Sequence, residues 1–410
     1  MKITPEKIRE DIHKAYLDAR KNKRNSLAQI DFEIGAEINL DKLIEELVER
    51  TYKPQPPFCF IVFEPVIREV YASQFRDRVV QHMLFNYLAP MFEKLFIYDT
   101  YSCRIGKGTS FGRERFMHHL RSVTDNFTKE AYVMMFDLSG HFMNINKPML
   151  IKEVMTEVYA HLGSKAYDNK IWDDLIDPEF CEFLLHAILD GNPSDNCIFL
   201  GDIHNKDMVP ERKRMSGTPP DCGIVIGDIT SQLLSNVHLN VTDQWAKRER
   251  KVKHWGHYVD DHFAMHNDLT YLQELEKDVI RVFWEKIHSD VHPKKTRFYK
   301  ATDAMVFLGG YIRPYYTVPR QRTINKFTDV IQSIELELLT TNPTYEELML
   351  ARTRINSYCG ILRQFKSYNL RKKFIDVPAF KKYFTIDEKI EKVTILPKYE
   401  KTFYLSDNRW

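Results

Sequence analysis

Three carboxylates stand where residue type and spacing suggest chemistry. The run Tyr132-Val133-Met134-Met135-Phe136 is apolar and ends on Asp137, the pattern of a buried strand that delivers an acid to the edge of its sheet. About 120 residues further on, His257-Tyr258-Val259-Asp260-Asp261-His262-Phe263-Ala264-Met265 sets two adjacent acids between short apolar stretches, which reads as a hairpin with acids at its tip. An Asp-Asp pair by itself is usually a solvated turn. Here the apolar flanks make unpaired charges costly to hold, and a bound cation would offset that cost. Carboxylates without His or Cys companions suit a hard ion such as Mg²⁺. Two such ions about 4 Å apart activate an attacking 3′-hydroxyl and stabilise a leaving pyrophosphate during in-line displacement. His254, His257, His262 and His266 raise the alternative of zinc, but they straddle the hairpin instead of sharing one face.

The elements that must position these acids are readable as periodicities. Residues 5 to 24 carry Ile8, Ile12, Tyr16 and Ala19 at helical spacing and finish in Lys21, Lys23 and Arg24, an amphipathic helix with a basic end. A second helix follows at about 40 to 50, and the apolar run Phe58 to Phe63 after a proline-rich stretch reads as a buried strand. Asp77 to Phe96 forms a core-facing helix through Val80, Met83, Leu84, Tyr87, Leu88, Met91 and Leu95, with Pro90 as the place for a kink. Residues 147 to 190 read as helical, 191 to 222 as a polar surface insertion, and 227 to 245 as a helix behind a glycine turn. A helix at about 268 to 288, a strand pair between Phe298 and Arg313, and helices at about 324 to 340 and 344 to 367 complete the pattern.

Composition bounds what such a chain can be. With 410 residues, 43% hydrophobic and 13% aromatic, it supports a sizeable core in two or three subdomains and excludes intrinsic disorder. Fifty-nine Lys and Arg against 57 Asp and Glu exclude a histone-like polycation while permitting a local basic groove. From Arg313 onward, 18 Lys and Arg meet only 11 Asp and Glu, so basic charge concentrates at the C-terminal end. Six cysteines without a Cys-x-x-Cys pair argue for reduced core thiols, against both a disulfide framework and a thiolate zinc site. Early charges at the N-terminus, and no run near the roughly 18 apolar residues of a spanning helix, place the protein in the cytoplasm with no membrane partner.

The carboxylate motifs carry a resemblance. Tyr258-Val259-Asp260-Asp261 resembles the Tyr-x-Asp-Asp box of bacterial reverse transcriptases, and Phe136-Asp137-Leu138-Ser139-Gly140-His141-Phe142 resembles the strand bearing their first metal ligand. Glu64-Pro65-Val66-Ile67-Arg68, Asp77-Arg78-Val79-Val80-Gln81-His82 and Tyr101-Ser102-Cys103-Arg104-Ile105-Gly106-Lys107-Gly108 are similar to the family's fingers motifs, in its order. Gly223 to Gln232 is similar to its next box, and Phe307-Leu308-Gly309-Gly310-Tyr311 to its primer grip, so the resemblance runs from about residue 40 to about 315. Ile226-Gly227 followed by Thr230-Ser231-Gln232 most resembles the enzymes of diversity-generating retroelements, with antiphage defence enzymes as near relatives. Asp228 stands where Asn is usual there, Val225 where Pro is, Val66 where Lys is common and His141 where an aromatic is.

The resemblance implies an α+β right-hand polymerase fold: an N-terminal helical extension over 1–50, fingers over 51–130, a palm with an antiparallel sheet over 131–314, and a helical thumb with a tail over 315–410. It implies that Asp137, Asp260 and Asp261, with the carbonyl of Leu138, hold two Mg²⁺ ions, for which Mn²⁺ substitutes. Lys295 would protonate or neutralise the leaving pyrophosphate, with Lys294 as the alternative register. Arg68 and Arg104 would reach the incoming triphosphate, and Phe142 would crowd a ribose 2′-hydroxyl. Gly227 would let backbone approach the nucleotide, and Gln232 would touch the template or base pair. Lys107, Gly309 and Gly310, with Arg352, Arg363, Lys366 and Lys372 in the thumb, would contact nucleic acid. The plainer readings are a core Phe after a strand, solvated surface cations and a solvated helix face.

The implied activity is RNA-directed DNA polymerisation: a cognate structured RNA template, a DNA or RNA primer, dNTPs, and an accessory protein as a candidate partner. An RNA-templated RNA polymerase would share the acids but not the aromatic at Phe142. A non-catalytic RNA-binding scaffold would have little use for all three acids.

Overall fold

The computed structural model describes residues 2–21, 26–63, 67–167 and 170–399, with the side chain of Arg212 excepted. The basic helix end at Lys23 and Arg24, the Glu64-Pro65-Val66 part of the first fingers motif and the tail from 400 to 410 lie outside the described residues. The chain divides into two compact units, Met1–Gly108 with Lys129–Phe298, and Thr109–Thr128 with Tyr299–Trp410.

The first unit opens with α1 (Pro5–Ala19), whose first turn is capped by the Thr4 hydroxyl accepting from the Lys7 N–H and whose Ile8, Ile12, Ala15 and Ala19 face inward. α2 (Leu27–Ile34) and α3 (Ala36–Val48) follow, then the antiparallel pair β1 (Phe58–Val62) and β2 (Arg68–Ala72). α4 (Phe75–Leu95) continues through Pro90 instead of ending there. Its buried Val79, Met83, Leu84 and Leu88 anchor a core shared with α1, α3 and the helices that follow the acid-bearing strand. The next helix, α5 (Thr109–Val123), belongs to the second unit, although the sequence places it within the fingers stretch.

β3 (Tyr132–Asp137) is followed by α6 (His141–Asn144), α7 (Lys147–His161) and α8 (Pro178–Leu189). The single helical stretch expected over 147 to 190 is broken at Gly163, whose φ of +75° is left-handed, before Pro178 restarts the helix at a position where its missing N–H costs nothing. Within the expected insertion, β4 (Ile198–Phe199) adds to β1 in parallel, so part of that segment is sheet. Then come α9 (Ile229–Gln244), β5 (His254–Tyr258), β6 (Asp261–His266), α10 (Leu269–Ile287) and β7 (Arg297–Lys300). The strand order β5-β6-β3-β7 makes a four-stranded sheet in which β6 pairs antiparallel with both β5 and β3. One face of this sheet, through Met134, Phe136 and Trp255, packs against Leu239 of α9 and Leu272, Leu275, Val279 and Phe283 of α10.

The second unit joins α5 to a meander of β8 (Met305–Phe307), β9 (Gly310–Arg313) and β10 (Tyr316–Pro319), with the Phe116 and Phe307 rings stacked 4.8 Å apart. Four helices follow: α11 (Gln321–Thr340), α12 (Tyr345–Leu362), α13 (Tyr368–Ile375) and α14 (Pro378–Lys381). α12 starts on a capping box in which Thr344 and Glu347 each take the other's backbone N–H. Phe327, Ile331, Ile334, Leu348, Ile355 and Phe380 fill its core, closed by the hairpin of β11 (Phe384–Ile386) and β12 (Val393–Ile395).

Candidate active site

All four residues expected to do the chemistry lie in the first unit, brought together by sheet register. Asp137 ends β3 directly opposite Asp261, and Tyr258 of β5 also pairs with Asp261. Val259 and Asp260 therefore form the turn, with Val259 at φ +54°, a left-handed conformation rare for a β-branched residue. The chain after α10 docks beside β3: the Ser139 N–H donates to the Asp290 carbonyl and the His292 N–H to the Asp137 carbonyl, each at 2.8 Å. That docking brings Lys295 onto Asp137, with Nζ donating to Oδ1 at 2.8 Å. Lys294, the alternative register, is exposed.

The acids crowd one another. Burial raises the Asp260 carboxyl above its ordinary range, the Asp137 charge adds to that, and Lys295 and Arg68 oppose it. Asp261 is open to solvent on one side yet enclosed by protein on the others; that loss of water, with the charges of Asp260 and Asp137, pushes its carboxyl up to about 7. Such mutual repulsion is what added positive charge would relieve, and the donor set, all carboxylate, fits a hard divalent cation. Among the described residues, no three acidic, His or Cys side chains are arranged around one ion position, and Lys295 holds one Asp137 oxygen.

Leu138 is buried in the core behind the sheet. Phe142 is half-buried; its carbonyl accepts from the Ile224 N–H at 2.9 Å, and its ring packs on a patch of Cys59, Tyr71, Met143 and Met215 shared with Val225 and Ile226. The candidate gate and the Gly223–Gln232 box thus meet on one patch. Gly227 has φ +122°, and a Cβ there would meet only Tyr71 O and Val70 Cγ1 at 3.8 Å, so the backbone angle calls for glycine, not the space. Gln232 is half-buried in the first turn of α9, its N–H donating to the Asp228 carbonyl at 3.3 Å. Asp228 is buried and accepts from the Ser73 hydroxyl and the Gln81 amide, each at 2.7 Å. With Asp77 these three line a cavity of about 310 Å³.

The Arg104 guanidinium grips the Glu93 carboxylate and donates to the carbonyls of Ile97 and Thr100, which makes it a brace between α4 and the following strap. Lys107 donates to the Tyr98 carbonyl at 2.6 Å and sits over that ring. Gly309, Gly310, Arg352, Arg363, Lys366 and Lys372 belong to the second unit. Gly310 has no room for a side chain, since a Cβ would lie 2.9 Å from both Arg113 Cδ and Thr317 Cγ2. Arg363, Lys366 and Lys372 are exposed and Arg352 half-buried, whereas Arg371, next to Lys372, turns inward to the carbonyls of Ile390 and Lys389 and the Ser367 hydroxyl.

Residues 66–312 match the family described as reverse transcriptase (RNA-dependent DNA polymerase). The chain belongs to the reverse transcriptase family. Those residues form an RNA-directed DNA polymerase domain, a nucleotidyltransferase with the right-hand polymerase fold, from a family that generally uses divalent metal ions. Among solved structures, this reverse transcriptase is similar to the telomerase of Candida albicans in complex with the TWJ fragment of telomeric RNA, at 10% identity and a TM-score of 0.44 over 82% of this chain and 60% of that one. It is also similar to apo telomerase of Candida tropicalis truncated from its C-terminal domain, at 11% identity and a TM-score of 0.45 over 65% of this chain and 56% of that one. This chain thus spans less than two thirds of the length of either. No curated protein matches the sequence. Among the described residues no helix is long and apolar enough to cross a membrane.

Proposed function

We propose that this chain extends a DNA or RNA 3′ end with dNTPs on a cognate structured RNA template. The reading rests on one observation, the meeting of Asp137, Asp260 and Asp261 at the end of β3 and the β5–β6 turn with Lys295 against them. Asp137, Asp260 and Asp261, with the Leu138 carbonyl, would hold two Mg²⁺ ions, which when bound supply positive charge to the attacking hydroxyl and the leaving pyrophosphate. Lys295, about half exposed and paired with Asp137, would turn its ammonium toward a leaving pyrophosphate. Arg68, close enough to act on Asp260, would lie along the incoming triphosphate. Phe142, which shares an apolar patch with Ile226, would supply the aromatic wall that excludes a 2′-hydroxyl. Fingers within 51–130, palm within 131–314 and thumb from 315 are the matching division of labour, with Lys107, Gly309, Gly310 and the exposed thumb cations on the nucleic acid.

The Ile226-Gly227 and Thr230-Ser231-Gln232 box favours a diversity-generating retroelement as the setting. The test is primer extension on a heteropolymeric RNA template with Mg²⁺, comparing dNTPs with NTPs and wild type with Asp260→Asn. DNA made only by the wild type supports the reading, and misincorporation concentrated opposite template adenines supports the setting. Faithful copying would favour an antiphage role, and use of NTPs an RNA polymerase. Extension by neither protein, even with RNA co-purified from the native locus, would leave an RNA-binding scaffold.

A further inference from the structure

We propose that Asp243, acting through His257, is a positioning residue that holds the acid-bearing turn in its left-handed form. The inference rests on the reading of that turn as catalytic. His257 lies in β5, three residues before Asp260. Its Nδ1 is 3.1 Å from the Val259 carbonyl and its Nε2 is 2.8 Å from Asp243 Oδ2. Carbonyl and carboxylate are both acceptors, so each ring nitrogen faces an acceptor. The ring thus bridges the turn carbonyl to the Asp243 carboxylate inside the fold, where the side chains of His257 and Asp243 are wholly buried.

The surroundings fix each member. Asp243, near the C-terminal end of α9, also accepts from Trp255 Nε1 at 2.8 Å and from the Thr100 hydroxyl at 3.1 Å, so its orientation is set by three donors. The backbone of His257 is pinned on both sides, its N–H donating to the Asp99 carbonyl at 3.0 Å and its carbonyl accepting from the Tyr101 N–H at 3.1 Å. His262 continues the pattern. It stacks between the His257 ring, 4.7 Å away, and the Phe136 ring, 4.9 Å away, and its Nδ1 is 3.0 Å from the Asp260 carbonyl. The two turn carbonyls are therefore each held by an imidazole, and the hold on Val259 leads back to Asp243. Val259 needs it, because φ +54° is strained for a β-branched residue. α9 thus carries the Gln232 region at its start and, near its end, the group that steadies the acids.

The test is single-nucleotide incorporation by Asp243→Asn and His257→Phe, each made in the native chain and in a Val259→Gly background, with template–primer affinity measured alongside. Glycine adopts the left-handed angle without being held. The expected result is a loss of at least tenfold in kcat in the native background, with affinity within twofold of the parent, shrinking to under threefold relative to the Val259→Gly parent. Equal losses in both backgrounds, affinity falling in step with rate, or no loss at all would overturn the proposal. Amide hydrogen exchange on the same proteins gives a readout that needs no catalysis. Exchange across 259–262 should accelerate at least tenfold in Asp243→Asn, whether or not the wild type extends a primer, so failure of the polymerase reading stays distinct. Unchanged exchange there would overturn the proposal. Should Asp243→Asn not fold, His257→Gln, which keeps an amide donor for Val259, is expected to lose less rate than His257→Phe; equal loss would count against the proposal.

Discussion

Asp137 and Asp261 face each other across β3 and β6 as register partners, and Asp260 stands one residue away in the turn. Three carboxylates so placed repel one another, which is a cost to the fold. Asp261→Asn removes one of the repelling charges. Nucleotide incorporation should fall by about 10²- to 10⁴-fold, the range expected when several kcal/mol of charge stabilisation is lost. Thermal unfolding of the same variant in chelator should occur at a higher temperature than wild type, because a strained site is relieved. A variant that loses both activity and stability would point to a structural acid instead.

Lys295 donates to Asp137 at 2.8 Å, and the exposed Lys294 stands next to it. Lys295→Met should therefore lower the rate of the chemical step by about 10²-fold or more, the usual weight of a positioned proton donor, with template–primer affinity retained. Rapid-quench kinetics on both lysine variants checks this. A larger effect at Lys294 would shift the assignment by one residue.

Phe142 shares its apolar patch with Ile226, so truncating it opens space beside that side chain. Phe142→Ala should reduce discrimination against ribonucleotides by roughly 10- to 200-fold, the span that steric pocket contacts command. The measure is the ratio of kcat/KM for dNTP and NTP. A ratio unmoved by Phe142→Ala would make this a core residue only.

The acids were legible because an apolar strand that stops on Asp137, and a hairpin interrupted by Asp260 and Asp261, are conflicts between burial and charge that a sequence displays openly. The helices α1, α4, α10 and α11 were legible through 3.6-residue periodicity. Other features lay in contacts that spacing does not encode. Asp243 sits in a helix among polar residues and looks like a solvated acid until His257, Trp255 and Thr100 fold onto it. The contacts of Arg104 with the Glu93 carboxylate and the carbonyls of Ile97 and Thr100 are of this kind. α5 follows a fingers motif in sequence but joins the unit formed by the last hundred residues, a long-range choice made by packing such as Phe116 on Phe307.

Asp77, in the first turn of α4, gives the fold a pH dependence of its own. Its Oδ1 accepts from the Tyr52 hydroxyl at 2.9 Å and its Oδ2 from the Gln55 N–H at 3.0 Å, but burial outweighs these and the nearby Arg76, raising the carboxyl to about 6. In the unfolded chain the same group titrates near 4. Below that pH both states are protonated and Asp77 costs nothing. Between about 4 and 6 the folded state keeps a proton that the unfolded state has released, so stability falls as pH rises, and above 6 the full cost of burying the charge is present. A carboxyl that titrates near 4 unfolded and near 6 folded carries a cost of roughly 3 kcal/mol once ionised in both states. Asp77→Asn cannot ionise, so its stability relative to wild type should rise by up to about that amount between pH 4 and pH 7. Urea unfolding of both proteins across that range isolates the effect, since every other group titrates in both. A difference that stays flat would mean that Asp77 ionises as readily in the folded protein as in the unfolded chain, and one that falls would mean that its hydrogen bonds and Arg76 outweigh its burial.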